Sequence, residues 1–156
     1  MSEQTDKNLP LQGLKVIEMG QLIAGPFASK LLGEFGADVI KVEPPAGDEV
    51  RDWGPPFHEE DAAYFVGINR NKRSIGLDLA SDGGRVVLLK MLETADVLIE
   101  NFAPGAMAKL GLGAAELTAR NPRLVYAAAS GYGQTGPYRR RPGFAHIAHA
   151  IGGLSY

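Results

Sequence analysis

Gly20 and Gly25 bracket four residues in Gly20-Gln21-Leu22-Ile23-Ala24-Gly25-Pro26, the spacing of a loop that cradles phosphates with its backbone N–H groups. That chemistry also needs a lysine after the second glycine, and Pro26 occupies its place. With no ammonium there to meet β- and γ-phosphates, ATP or GTP hydrolysis is not expected. The dinucleotide fingerprint G-x-G-x-x-G is missing from the same turn, which argues against NAD. What remains is a turn of small residues, Ala24 and Gly25, that lets a ligand approach backbone N–H groups at a helix start.

Other stretches carry groups that could do chemistry. Glu43 could meet a ribose hydroxyl, although a solvated strand-end carboxylate is the plainer expectation. Asn69-Arg70-Asn71-Lys72-Arg73 could hold a phosphate or form a solvated basic turn, and the residues alone leave both open. Asn101-Phe102-Ala103-Pro104-Gly105 and Ser130-Gly131-Tyr132-Gly133 are further small-residue corners. Arg139-Arg140-Arg141 is a cationic triplet, which is usually a solvated face. His146 and His149 are three apart without a carboxylate beside them, a pattern commoner in packing than in catalysis.

These corners need strands to carry them. Leu14–Met19 and Val39–Val42 read as buried parallel strands. Between them Gly25-Pro26 opens a helix that Gly36 closes, with Phe27, Leu31, Leu32 and Phe35 expected on the buried face. The result is a right-handed βαβ unit, whose ligands bind beyond the carboxyl ends of the strands. The long segment after Glu43, with Arg51, Trp53 and His58, is expected to lack regular structure and to serve function or an interface. A short helix over Asp61–Ile68 and a strand over Ser74–Leu77 follow. Ser81 caps a helix over Asp82–Glu93 whose apolar face includes Val86 and Val87. Then come a strand Val97–Glu100, a helix Pro104–Leu110 stopped by Gly111, a strand Leu124–Ala129 and a helix Phe144–Ile151. Three small-residue corners on one sheet edge would form a groove for a long, phosphate-bearing ligand.

Composition narrows the class. The 156 residues are 45% hydrophobic and 22% charged, an ordinary soluble balance sufficient for one compact core. Met1–Pro10 is polar and reads as a flexible arm, not a signal peptide. No apolar run approaches the ~20 residues of a membrane span. A formal net charge of -2 leaves no nucleic-acid footprint. With no cysteine and only three scattered histidines, neither disulfides nor a metal site is expected, and a cytoplasmic setting is the default.

In order along the chain, IEMGQLIAGPFASKLLGEFGADVIKVEPPAGDEVRDWG, NRNKRSIGLDL, ADVLIENFAPGAMAKLGLG, NPRLVYAAASGYGQTGPY and RPGFAHIAHAIGGL resemble the amino-terminal half of the large domain of the family III coenzyme A transferases. That group includes formyl-CoA transferase, carnitine CoA-transferase and the α-methylacyl-CoA racemases. The resemblance spans Leu11 to Leu154 and implies an α/β fold. Its sheet would be Rossmann-like, open and mostly parallel, flanked by helices and incomplete relative to the full family fold. Residues 11–156 would form the amino-terminal part of the CoA-binding large domain. A homodimer of interlocked chains is also implied.

Carried over by position, the resemblance puts CoA at Leu22, Ile23 and Ala24, at Leu77, at Asn101, Phe102 and Ala103, at Lys109, and at Ser130, Gly131, Tyr132 and Gly133. CoA and acyl-CoA would be substrates, with a carboxylic acid as acceptor and no prosthetic group. Two departures stand out: Pro44 where formyl-CoA transferase has an arginine near the adenine, and Ala80 where it has a lysine. Lys72 or Arg73 would then have to compensate.

The implied reaction moves CoA from an acyl-CoA thioester to a carboxylate through an aspartyl-CoA intermediate. Its aspartate is expected beyond the segment matching Gly152-Gly153, so no residue here is assigned as nucleophile and the 156-residue chain alone is expected to be inactive. Racemases use a histidine in a Gly-His-Asp motif; Gly143-Phe144-Ala145 stands there and disfavours that branch. The rival class is a non-catalytic CoA- or nucleotide-binding fragment or subunit.

Overall fold

The computed structural model describes residues 9–154. Its centre is a sheet of five parallel strands: β1 (Lys15–Glu18), β2 (Asp38–Glu43), β5 (Lys72–Gly76), β6 (Val97–Glu100) and β7 (Val125–Ala128). They lie in the order β5-β2-β1-β6-β7. The chain therefore winds outward from β1 in one direction, then returns to the other side of β1 for β6. That reversal leaves a crevice between β1 and β6 at the carboxyl edge of the sheet, where open α/β folds bind ligands.

Alternation along the strands divides the core, because successive side chains point to opposite faces. Ile17, Met19, Val42 and Leu98 join Leu88, Leu92, Met107, Leu112, Leu117 and Leu124 on one face. Val16, Val39 and Ile99 form the other with Ala37 and the half-buried Leu32. The helices are α1 (Ala24–Glu34), α2 (Ala63–Asn69), α3 (Asp82–Leu92), α4 (Ala106–Lys109), α5 (Ala114–Arg120) and α6 (Ala145–Ile151). Ser81 caps α3 as its sequence implies, its hydroxyl accepting from the Gly84 N–H at 3.0 Å. Gly36, at φ +104°, takes the left-handed conformation that ends α1.

Several expectations change. The buried face of α1 is Gly25, Pro26 and Ser29, whereas Phe27, Leu31 and Phe35 are exposed. Small residues let this helix approach the sheet closely, which turns its aromatic stripe outward. Val86 and Val87 also face out, and α3 packs through Leu88 and Leu92. The segment after Glu43 is ordered by a 3-10 turn over Glu49–Asp52 and a two-stranded antiparallel pair, β3 (Phe57–His58) with β4 (Asp61–Ala62). The expected helix at Asp61 begins two residues later, as α2. Sequence reading did not anticipate α5, which sends Leu117 into the core. Of the expected arm over residues 1–10, only Leu9 and Pro10 are described, and Leu9 packs beside Gly36.

Candidate functional site

The turn from Gly20 to Pro26 rises from the carboxyl end of β1 into α1, beside the crevice. Its shape is held from four sides. Lys41 Nζ donates to the Gly20 carbonyl at 2.8 Å, from inside β2. Asn101, just past β6, accepts from the Gln21 N–H at 2.7 Å and donates to the Gln21 carbonyl at 2.8 Å. Lys72, the first residue of β5, donates to the Pro26 carbonyl at 2.8 Å. Gly20 and Gly25 touch through their backbones, and a Cβ on Gly20 would lie 2.8 Å from the Gly25 Cα. Between these ties Leu22 sits at φ +61°, a left-handed conformation that costs a branched residue roughly 1–2 kcal/mol.

Beneath the turn lies a buried ionic cluster. Glu18 is 0% exposed and Lys41 1%. Lys41 pairs with Asp48 at 2.9 Å and with Glu18 at 3.5 Å, while Lys72 reaches Glu18 at 3.2 Å and Asn69 Oδ1 at 2.7 Å. Two lysines and two carboxylates thus neutralise one another away from water, the condition under which buried charges persist. Burial pulls the Lys72 ammonium down to about 8, against the upward pull of Glu18. Glu43, expected as a solvated carboxylate, is instead 3% exposed. Arg51 grips it in two bonds of 2.8 and 2.7 Å, and Ser74 and the Asp48 N–H also donate to it. Burial resists the charge on Glu43, but these donors prevail and hold its carboxyl at about 2.

Against the turn opens a cavity of about 150 Å³. Gly20, Gln21, Pro44, Pro45, Leu77 and Phe102 contribute to its wall. Lys41 is the one cation among its described lining residues, beside the carboxylates Glu43, Asp48 and Asp78 in the same lining. Such a wall suits an uncharged, flat or extended group. A second cavity, of about 370 Å³, lies between β7 and the α4–α5 segment, with Ala103, Gly105, Tyr126, Ala128 and Gln134 in its wall. Glu100 closes its floor, accepting from the Phe102 N–H at 2.7 Å and the Tyr126 hydroxyl at 3.3 Å. Burial raises the pKa of both Glu100 and Tyr126.

The sequence-derived residues divide between these places. Leu77 and Phe102 meet in the first cavity, and Ala103 lies in the second. Leu22, Ile23 and Ala24 form the turn itself, with Ile23 58% exposed. Asn101 is at the crevice, but its amide is committed to Gln21. Lys109 ends α4 on the surface. Ser130 accepts from Gln134, Gly131 packs against Gly143, and the Tyr132 ring meets the Tyr138 ring edge-on at 5.8 Å. Gly133 adopts φ +76°, which suits glycine. Among the described residues no cluster of metal-ligating side chains occurs.

The basic segment after Asn69 is a solvated turn at Arg70 and Arg73, whose side chains are 61% and 67% exposed, but not at Lys72. Arg70 pairs with Glu34, Lys72 is buried on Glu18, and Arg73 meets Asp38 at 2.7 Å at the start of β2. Neither Lys72 nor Arg73 lines the first cavity beside Pro44. Glu18, Gln21, Lys41 and Asp48 were not singled out from sequence. The usable signal was a charged residue inside each of two otherwise apolar runs, VIEM and VIKV.

The profile of CoA-transferase family III matches residues 11–156. The chain belongs to that family. Over 153 residues it is 50% identical to the succinyl-CoA–L-malate CoA-transferase beta subunit of Chloroflexus aurantiacus, covering 97% of this chain and 38% of that protein. The succinyl-CoA:glutarate CoA-transferase of Mus musculus is 41% identical over 152 residues, covering 97% of this chain and 35% of that protein. A CAIB/BAIF family protein from Brucella suis superposes with a TM-score of 0.91 at 46% identity, over 95% of this chain and 40% of that one. The chain thus spans well under half the length of these family III relatives. The α/β architecture expected from sequence is the one seen, with a parallel sheet flanked by helices.

Proposed function

We propose that the full-length protein moves CoA from an acyl-CoA thioester to a carboxylic acid, in the cytoplasm and as a homodimer, with residues 11–156 forming the amino-terminal part of its CoA-binding domain. The carrying observation is the turn at 20–26, pinned at the switch point of a parallel sheet with a cavity beside it that Pro44, Leu77 and Phe102 help to line. Relatives named for succinyl-CoA and dicarboxylic acids make succinyl-CoA the donor to try first and a dicarboxylate the acceptor.

In this reading the first cavity takes the adenine end of CoA, against Pro44, Leu77 and Phe102, because its one lining cation, Lys41, is already paired with Asp48 and Glu18. The pantetheine arm passes Leu22, Ile23 and Ala24 at the start of α1, where Ile23 is exposed. Lys109 and the corner Ser130–Gly133 lie toward the phosphates and the far side of the crevice. An aspartate outside residues 1–156 attacks the thioester carbonyl and expels CoA thiolate. The thiolate attacks the aspartyl carbonyl of the mixed anhydride, freeing the donor acid and leaving an aspartyl-CoA thioester. The acceptor carboxylate then displaces CoA from that thioester and regains it from the second anhydride, which returns the aspartate.

The test is an assay of the full-length protein with succinyl-CoA and a panel of carboxylic acids. Formation of a new acyl-CoA in equal amount to released succinate is expected. Tight CoA binding with neither transfer nor a covalent CoA adduct by mass spectrometry would favour a non-catalytic CoA-binding role.

A further inference from the structure

We propose that Lys72 is a positioning residue for the CoA site: together with Lys41 it clamps the two ends of the 20–26 turn and so sets the surface the ligand meets. The inference rests on the CoA-binding reading above. Lys41 holds the first carbonyl of the turn, that of Gly20, and Lys72 holds the last, that of Pro26. Both ammonium groups converge on one carboxylate oxygen of Glu18, at 3.5 and 3.2 Å. The clamp is therefore a single unit reaching from three strands to one turn. Within it Leu22 is kept at φ +61°, a conformation the chain would leave if an end were released.

Lys72 can change its charge just above neutral pH. It is faced by Glu18 on β1, Lys41 on β2, Asp48 on the turn after β2 and Asn69 on α2. Burial favours its neutral form, which appears as pH passes about 8. A neutral amine no longer balances Glu18 and holds the Pro26 carbonyl more weakly, since hydrogen bonds from ionised donors are the stronger ones.

The experiment measures the dissociation constant of desulfo-CoA, which lacks a titrating thiol, for the full-length protein between pH 7 and 9.5. The wild type is expected to bind more weakly as pH passes about 8. At pH 7 Lys72→Met should bind about tenfold more weakly, with no inflection near 8. Removing Lys72 alone leaves a net buried charge, so the neutral pair Glu18→Gln/Lys72→Met serves where the single variant fails to fold, with the same expected loss. A folded variant that binds as tightly as the wild type at pH 7 overturns the proposal, as does a wild-type profile flat through pH 8. Failure of the wild type to bind at all would instead sink the CoA reading beneath it.

Discussion

Asn101 and Gln21, eighty residues apart, are joined by two hydrogen bonds that run in opposite directions across the crevice between β1 and β6. One amide side chain satisfies both main-chain groups of the second residue of the turn. Asn101→Ala leaves that N–H and carbonyl unpaired in a half-buried place, at a cost of about 1–3 kcal/mol. Thermal denaturation of the full-length variant should show a lower midpoint, by roughly 2–4 °C per kcal/mol. Asn101→Asp, which keeps an acceptor and loses the donor, should fall between.

The Gly20–Gly25 contact predicts a contrast between two glycine substitutions. Gly20→Ala places a methyl 2.8 Å from the Gly25 Cα and 2.9 Å from Glu18 Oε1. Overpacking of that kind costs about 1–3 kcal/mol. Gly67, inside α2, has open space where its Cβ would lie. Gly67→Ala should stabilise by about 0.5–1 kcal/mol through helix propensity. Urea denaturation of both variants checks the pair of signs.

Leu22 links strain to binding. Leu22→Gly relieves the left-handed conformation and should raise stability by up to about 1 kcal/mol, offset in part by lost packing. The same change frees the turn, so CoA affinity should drop. Calorimetric titration beside a thermal melt will show whether the two move in opposite directions.

Glu43 sets an acid limit. Its folded pKa of about 2 lies below the ordinary value of 4.5, so its contribution is fully present above pH 4.5 and is lost as pH falls toward 2. The linkage amounts to about 3 kcal/mol at neutral pH. In urea unfolding from pH 6 to 2.5, wild type should lose more stability across that window than Glu43→Gln does.

Much of this architecture was legible in the residues. Strand VLIE and the Ser81 cap fell where their patterns placed them, because buried parallel strands and capping hydroxyls leave local signatures. The outward face of α1 did not. Periodicity gathers Phe27, Leu31 and Phe35 on one side, but it cannot say whether that side or the small-residue side meets the sheet. The clamp was hidden for another reason. Lys41 and Lys72 act through partners 21 to 54 residues distant, and only the strand order β5-β2-β1 brings them together. Asn101 was expected by resemblance at the CoA site, but its tie to Gln21, eighty residues earlier, has no local signature in the sequence.

Hydrogen–deuterium exchange of the full-length protein with and without CoA tests most directly whether the turn at the switch point receives the ligand. CoA should slow exchange in peptides covering residues 20–26 and 101–105 by at least about tenfold, as ligand binding to the native state stabilises what it covers. Saturating CoA that leaves those peptides unchanged, while protecting others, would contradict the account.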